Sequence, residues 1–139
     1  GSAEYVACVP FWKNRLLVTH HQHAVVECLV GHGWEKLGGY NLGRAIEMPS
    51  LSRFMSASYG QVQAMRTGYP LSLMLFYYFA RLDGAKDGAR LKQYVEKLLE
   101  GYPEPACRAL LLAGRSEKEL EADFAKAWNQ LGITVRFAR

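Results

Sequence analysis

Residues 71–80 constrain this chain most. They form an almost unbroken apolar run, closed by Pro70 on one side and Arg81 on the other. A membrane-crossing helix needs about twenty apolar residues, and this run has half that, so it reads as a helix buried in protein. Proline is favoured in the first turn of a helix, which sets the start of a helix over 71–82. A helix that is apolar all round must be surrounded, so the rest of the chain has to supply partners with one apolar face each. The material is there: half of the 139 residues are hydrophobic, and Trp, Tyr and Phe together number seventeen. That amount suits one core, and the expectation is a single domain over 1–139.

The partners can be read from helical spacing. Phe54, Met55, Tyr59, Val62 and Met65 mark one helix after Ser50-Leu51-Ser52, broken at Gly68. Asp83-Gly84 turns the chain. Leu91, Tyr94, Val95, Leu98 and Leu99 make a clean apolar face, ended by Gly101. Pro103-Glu104-Pro105 opens a shorter helix that Gly114 closes. Ser116 and Glu119 have capping-box spacing, and Leu120, Phe124, Trp128 and Leu131 line the helix that follows, up to Gly132. Residues 133–137 read as a terminal strand. Near the start, Tyr5-Val6-Ala7-Cys8-Val9 and Arg15-Leu16-Leu17-Val18 read as two strands around a Trp12-Lys13-Asn14 turn. Ala24, Val25, Cys28 and Leu29 give a helix beginning near Thr19, with Gly31 and Gly33 ending it. A turn of helix at 34–37 precedes Gly38-Gly39, and 41–49 reads as an irregular connection. The fold class is therefore α+β and mainly helical: a small β-hairpin over 5–18, a 19–40 region, and a 50–131 scaffold, with five or six packed helices in all. Gly1-Ser2 reads as an expression scar.

Charge excludes some partners. Seventeen basic and thirteen acidic residues leave a net charge of +4 without any run of one sign. No basic arm for nucleic acid and no polybasic membrane tag is present. Cys8, Cys28 and Cys107 are too few for a disulfide scaffold. One bridge fits the count, but reduced core thiols are the expectation, and without CxxC there is no thiolate zinc knuckle. Cys28 and His32 stand four apart, but Gly31 between them argues against a shared helix face.

The segment with chemical content is Thr19-His20-His21-Gln22-His23. On a helix His20 and His23 share a face, as do His23 and Glu27. Imidazoles with a carboxylate suit zinc; a polar, solvated helix start is the other reading. Glu35, after Trp34 and twelve positions past His23, is the candidate ligand from outside, reached if the glycines let the chain double back. Alone it is a surface carboxylate. Tyr69 precedes the apolar helix, where a phenol faces either a cleft or the core.

The order of these pieces resembles the gluzincin metallopeptidases, specifically the peptidase MA-like domains of bacterial proteins. Tyr69-Pro70-Leu71-Ser72 is similar to that family's tyrosine-led helix. Gly114-Arg115-Ser116-Glu117-Lys118-Glu119-Leu120-Glu121, with Phe124 and Trp128, is similar to its closing helix, and Leu51-Ser52 with Ser56-Ala57-Ser58-Tyr59 to the segment before the tyrosine-led helix. The resemblance implies a zincin-like C-terminal half and a zinc site made by HExxH and a later Trp-x-x-Glu segment. Trp34-Glu35-Lys36-Leu37-Gly38-Gly39-Tyr40 is similar to that later segment. It assigns Glu35 and His23 as two metal ligands, puts Thr19 where the first histidine stands, and His20 where the catalytic glutamate stands.

In such a peptidase, zinc activates a water and the glutamate accepts its proton. With a ligand and the base both replaced, the expectation is a degenerate gluzincin-like domain, a pseudoenzyme without ordinary peptidase activity. It would serve as a binding or structural module of a larger envelope or secreted protein. Two alternatives stand beside it. One is a zinc-dependent hydrolase with a rearranged site, in which His20, His23 and Glu35 hold the metal, with His21 or Glu27 as a further ligand; His20 serves either as ligand or as the catalytic proton carrier, and Tyr69 donates to the developing oxyanion. The other is a plain helical interaction domain. The cofactor is then none or zinc. The expected partners are a protein or peptide, with no nucleic acid and no membrane span. The family's sheet has more strands than the two found here, so a second copy pairing with a sheet edge would give a homo-dimer.

Overall fold

The computed structural model describes residues 2–8, 11–12, 15–16, 21–31 and 39–138. Helix α1 (Ser2–Cys8) leads into a short antiparallel hairpin, β1 (Phe11–Trp12) and β2 (Arg15–Leu16). Then come α2 (His21–Val30), β3 (Ala45–Pro49), α3 (Leu51–Met55), α4 (Tyr59–Ala64) and α5 (Gly68–Tyr77). The chain closes with α6 (Ala89–Leu99), α7 (Glu104–Leu112), α8 (Glu117–Gln130) and β4 (Thr134–Ala138). The protein is mainly helical α+β. None of the described helices is long and apolar enough to cross a membrane.

The apolar run is the axis of the core. Leu71, Leu73, Met74, Tyr77, Tyr78 and Phe79 are all buried. Helix α8 lies against this axis through Phe124 and Trp128: the Tyr78 and Phe124 rings are 5.0 Å apart, and those of Tyr77 and Trp128 5.8 Å apart. At its C-terminal end the helix widens into a π-turn over Tyr78–Leu82, where Asp83 N–H reaches the Tyr78 carbonyl at 3.0 Å. Such widenings are rare, and Arg115 reaches this one at the Tyr78 side chain. Its guanidinium donates to the Tyr78 phenol at 3.2 Å, to Asp123 Oδ2 at 3.0 Å and to the Leu111 and Leu112 carbonyls at 3.1 and 3.0 Å. One side chain thus ties the end of α7, the π-turn and α8 together.

Ser116 and Glu119 form the capping box that their spacing predicts. Glu119 Oε2 accepts from Ser116 N–H and Oγ–H, each at 2.7 Å. These bonds hold the Glu119 carboxyl below its ordinary value. A carboxyl held low in the fold gives stability that is complete above its unfolded value and fades as pH falls through the folded one. Acid unfolding followed by helical circular dichroism should therefore be shallower below about pH 4.5 in Glu119→Gln than in the parent chain. The amide keeps the cap's geometry without a titrating proton.

Five expectations need correction. Residues 5–8 are helix rather than strand. A short apolar run cannot tell the two apart, and Glu4, Tyr5 and Cys8 share the face turned to the body, with Val6 and Ala7 outside. The hairpin exists but is made by residues 11–16. The 41–49 connection contains β3, whose Ile46 and Met48 point inward and Glu47 outward. It pairs in parallel with β4, from Ala45↔Thr134 to Pro49↔Ala138. The single helix over 50–65 is two, because Ser58 opens a new capping box with Gln61. Gly68 begins α5 rather than only ending what precedes it.

The clean apolar face of α6 is only partly covered. Leu91 and Tyr94 pack on the core. Leu99 is 83% exposed, and Val95, Leu98 and Tyr102 also face outward. Two polar anchors fix the joint between β3 and α8: Glu121 Oε1 accepts from Leu51 N–H at 2.9 Å, and Arg44 donates to the Gly132 carbonyl at 3.2 Å.

Candidate functional site

Helix α2 buries Ala24, Val25, Val26, Leu29 and Val30 and leaves Gln22 and His23 exposed. Hence the histidine run divides. His21 turns inward, its ring 5.6 Å from Tyr77 at 81° and 6.4 Å from Tyr5. Its Nδ1 is buried without a hydrogen-bond partner among the described residues. Burial, and secondarily the Arg81 charge, lower its proton affinity, and its ring joins the aromatic margin of the core. His23 stands on the solvent side, with Glu27 half-buried one turn on. His20 and Glu35 lie outside the described residues, as do Thr19, His32 and Trp34. Among the described residues, no group of three His, Cys, Asp or Glu side chains is arranged to hold a metal ion.

The chain does return to α2. Gly31, at φ +92°, ends the helix in the left-handed region that glycine tolerates. After the Trp-Glu segment, Tyr40 N–H donates to the Cys28 carbonyl at 2.8 Å and Leu42 N–H to that of Leu29 at 2.9 Å. Carbonyls at a helix C-terminus have no partner within the helix, and here the returning strand of chain satisfies them. The return is tight: a Cβ on Gly31 would stand 2.7 Å from Asn41 Cα.

Around this return the fold gathers groups that are scattered in sequence. Glu4 and Cys8 come from α1, Cys28 from α2, Tyr40 from the returning segment and Tyr69 from the first turn of α5. All four of the others act electrostatically on the half-buried Tyr40 phenol, which burial and these neighbours push up to about 12. Cys8 and Cys28 are half-buried on neighbouring helices and act on each other, Cys28 raising the Cys8 thiol and Cys8 lowering that of Cys28. Tyr69 is 39% exposed, and the neighbouring Tyr59 raises its phenol. At that exposure Tyr69 sits at the rim of this cluster and is not a core tyrosine. Glu4 and Cys8 carry no local signal in the sequence, since the strand reading of α1 aims alternate side chains to opposite sides.

Near α1 a separate groove opens between α3, α5, α6 and α7. It has a volume of about 270 Å³ and is walled by Leu75, Phe76, Phe79, Tyr94 and Leu111, with Ser72 and Glu104 supplying polar atoms at its edge. Apolar walls with a few polar groups are the usual make-up of a binding pocket.

Comparison with protein-family models, with curated proteins and with solved structures finds no match.

Proposed function

We propose that this chain is a degenerate gluzincin-like domain that binds a protein or peptide segment instead of hydrolysing it, as one module of a larger protein. One observation supports the reading above the others: the segment after Trp34-Glu35 doubles back and bonds to the carbonyls of the histidine-bearing helix. A gluzincin needs that path to bring its late glutamate to its histidines. The helical order behind it also agrees, with Tyr69 opening the buried helix and Arg115 joining the closing helix to it. The chemistry argues against hydrolysis, because His20 stands in the general-base position and Thr19 in that of a ligand. General-base help alone is worth roughly a hundred- to ten-thousand-fold in rate.

The test is metal content and peptidase activity on the purified chain, with and without a chelator. The expected result is no stoichiometric zinc and no chelator-sensitive cleavage. Stoichiometric zinc, with hydrolysis that a chelator or His23→Ala abolishes, would overturn the proposal in favour of a rearranged zinc hydrolase.

A further inference from the structure

The exposed large apolar side chains are not scattered. Of seven among the described residues, Val95, Leu98 and Leu99 belong to α6, and Tyr102 follows it directly. Single exposed apolar residues need no explanation, whereas a contiguous strip marks a surface that something covers. The other side of the same helix is already used, since Leu91 and Tyr94 pack on the core.

The charges beside the strip say what covers it. Leu91, Val95 and Leu99 recur every four residues and so form one line along the helix. Lys92 and Glu96 recur at the same step one position on, as an exposed charged edge along that line. The neighbouring charges are engaged within the chain: Arg90 with Asp83, Lys97 with Glu100, and Arg108 with Glu104. The side chains of Lys92 and Glu96 make no ion pair or hydrogen bond among the described residues.

We propose that α6 is a homodimer interface, in which two copies pack this helix antiparallel about a two-fold axis at Val95. The occupant is a second copy because the charged edge is complementary to itself in that arrangement. The two-fold reverses the partner's helix and keeps its charged edge on the same side. Lys92, three residues before the axis, then comes within about 3 Å, along the helix, of the partner's Glu96, one residue past it. The symmetry makes this pair twice. The same operation lays Leu99, which is 83% exposed, beside the partner's Leu91 and Ala89. A parallel pairing would instead set Lys92 against Lys92 and Glu96 against Glu96. Complementary charges of this kind fix orientation and register, while the apolar strip supplies affinity. This surface is a helix face and not the sheet edge suggested by the sequence, and the inference does not depend on the gluzincin reading.

Sedimentation velocity on the purified chain is the test. An interface one helix wide is small, so the dimer should form with a dissociation constant of about 10 μM. Leu99→Glu should be monomeric at every concentration, with unchanged helical circular dichroism. Lys92→Glu and Glu96→Lys should each weaken the dimer about tenfold, because each sets like charges against one another. The double variant Lys92→Glu/Glu96→Lys should recover the parent dissociation constant, since the exchanged edge is again complementary. A native chain that stays monomeric up to about thirty times that constant would overturn the proposal. So would a dimer that Leu99→Glu leaves intact, which would place the interface elsewhere. A double variant as weak as the single ones would overturn the antiparallel pairing about Val95.

Discussion

Trp128→Ala should destabilise the protein by about 3–5 kcal/mol, measured as the urea midpoint by circular dichroism. Trp128 is fully buried on α8. Its ring lies 5.8 Å from Tyr77 and 6.2 Å from Phe124, where the closing helix meets the apolar axis. Truncation removes the largest side chain from that seam. The neighbours cannot collapse into the space, because Tyr77 is also held by His21 and Tyr5 on its other side. Domains of this kind are stable by only about 5–15 kcal/mol, so the variant should be near the edge of folding at ambient temperature. Trp128→Phe should lose much less, about 1–2 kcal/mol. It keeps an aromatic ring in place and also removes the indole N–H, which is buried without a partner among the described residues.

Gly68→Ala should be comparably severe, at about 3 kcal/mol in the same measurement. The reason is contact with backbone, not torsional strain. A Cβ at Gly68 would lie 1.9 Å from the Val62 carbonyl oxygen and 2.9 Å from its carbon. Helix α5 starts directly on the end of α4, and Gly68 N–H donates to the Met65 carbonyl at 3.0 Å. Neither partner can yield without pulling Leu71 and Leu73 out of the core. Gly60 is the internal control. It lies within α4, a Cβ there meets nothing within 4 Å, and Gly60→Ala should stabilise by about 0.5–1 kcal/mol through helix propensity. Loss at both positions would mean that α4 resists substitution generally, and the Val62 contact would no longer explain Gly68.

What could be read in the sequence, and what could not, divides by distance along the chain. The buried helix, its proline start, the capping box at Ser116 and the terminal strand all rest on neighbours within a turn or two, and they stand where their residues place them. Strand β3 was hidden although Ile46 and Met48 alternate with Glu47, because its partner is at the other end of the chain. The role of Arg115 was hidden for a related reason. Its position in a Gly-Arg-Ser turn is visible, but its bonds to Tyr78 and Asp123 depend on the π-turn meeting α8. At the candidate site, the histidine run was legible as a helix start, yet spacing could not reveal that His21 would be drawn in among Tyr5 and Tyr77.

The parallel pairing of β3 with β4 has a consequence for how the protein assembles. Nearly the whole helical body lies between those two strands, so the ladder from Ala45↔Thr134 onward joins positions far apart in sequence. Contacts of that span form slowly, since the entropy of closing the chain must be overcome before any ladder bond is made. Helix pairs such as α6 with α7 need only short closures. During synthesis, then, β3 must wait for β4 to leave the ribosome. The inward side chains of β3, Ile46 and Met48, are exposed to chaperones and to other nascent chains for longer than any part of the later helices.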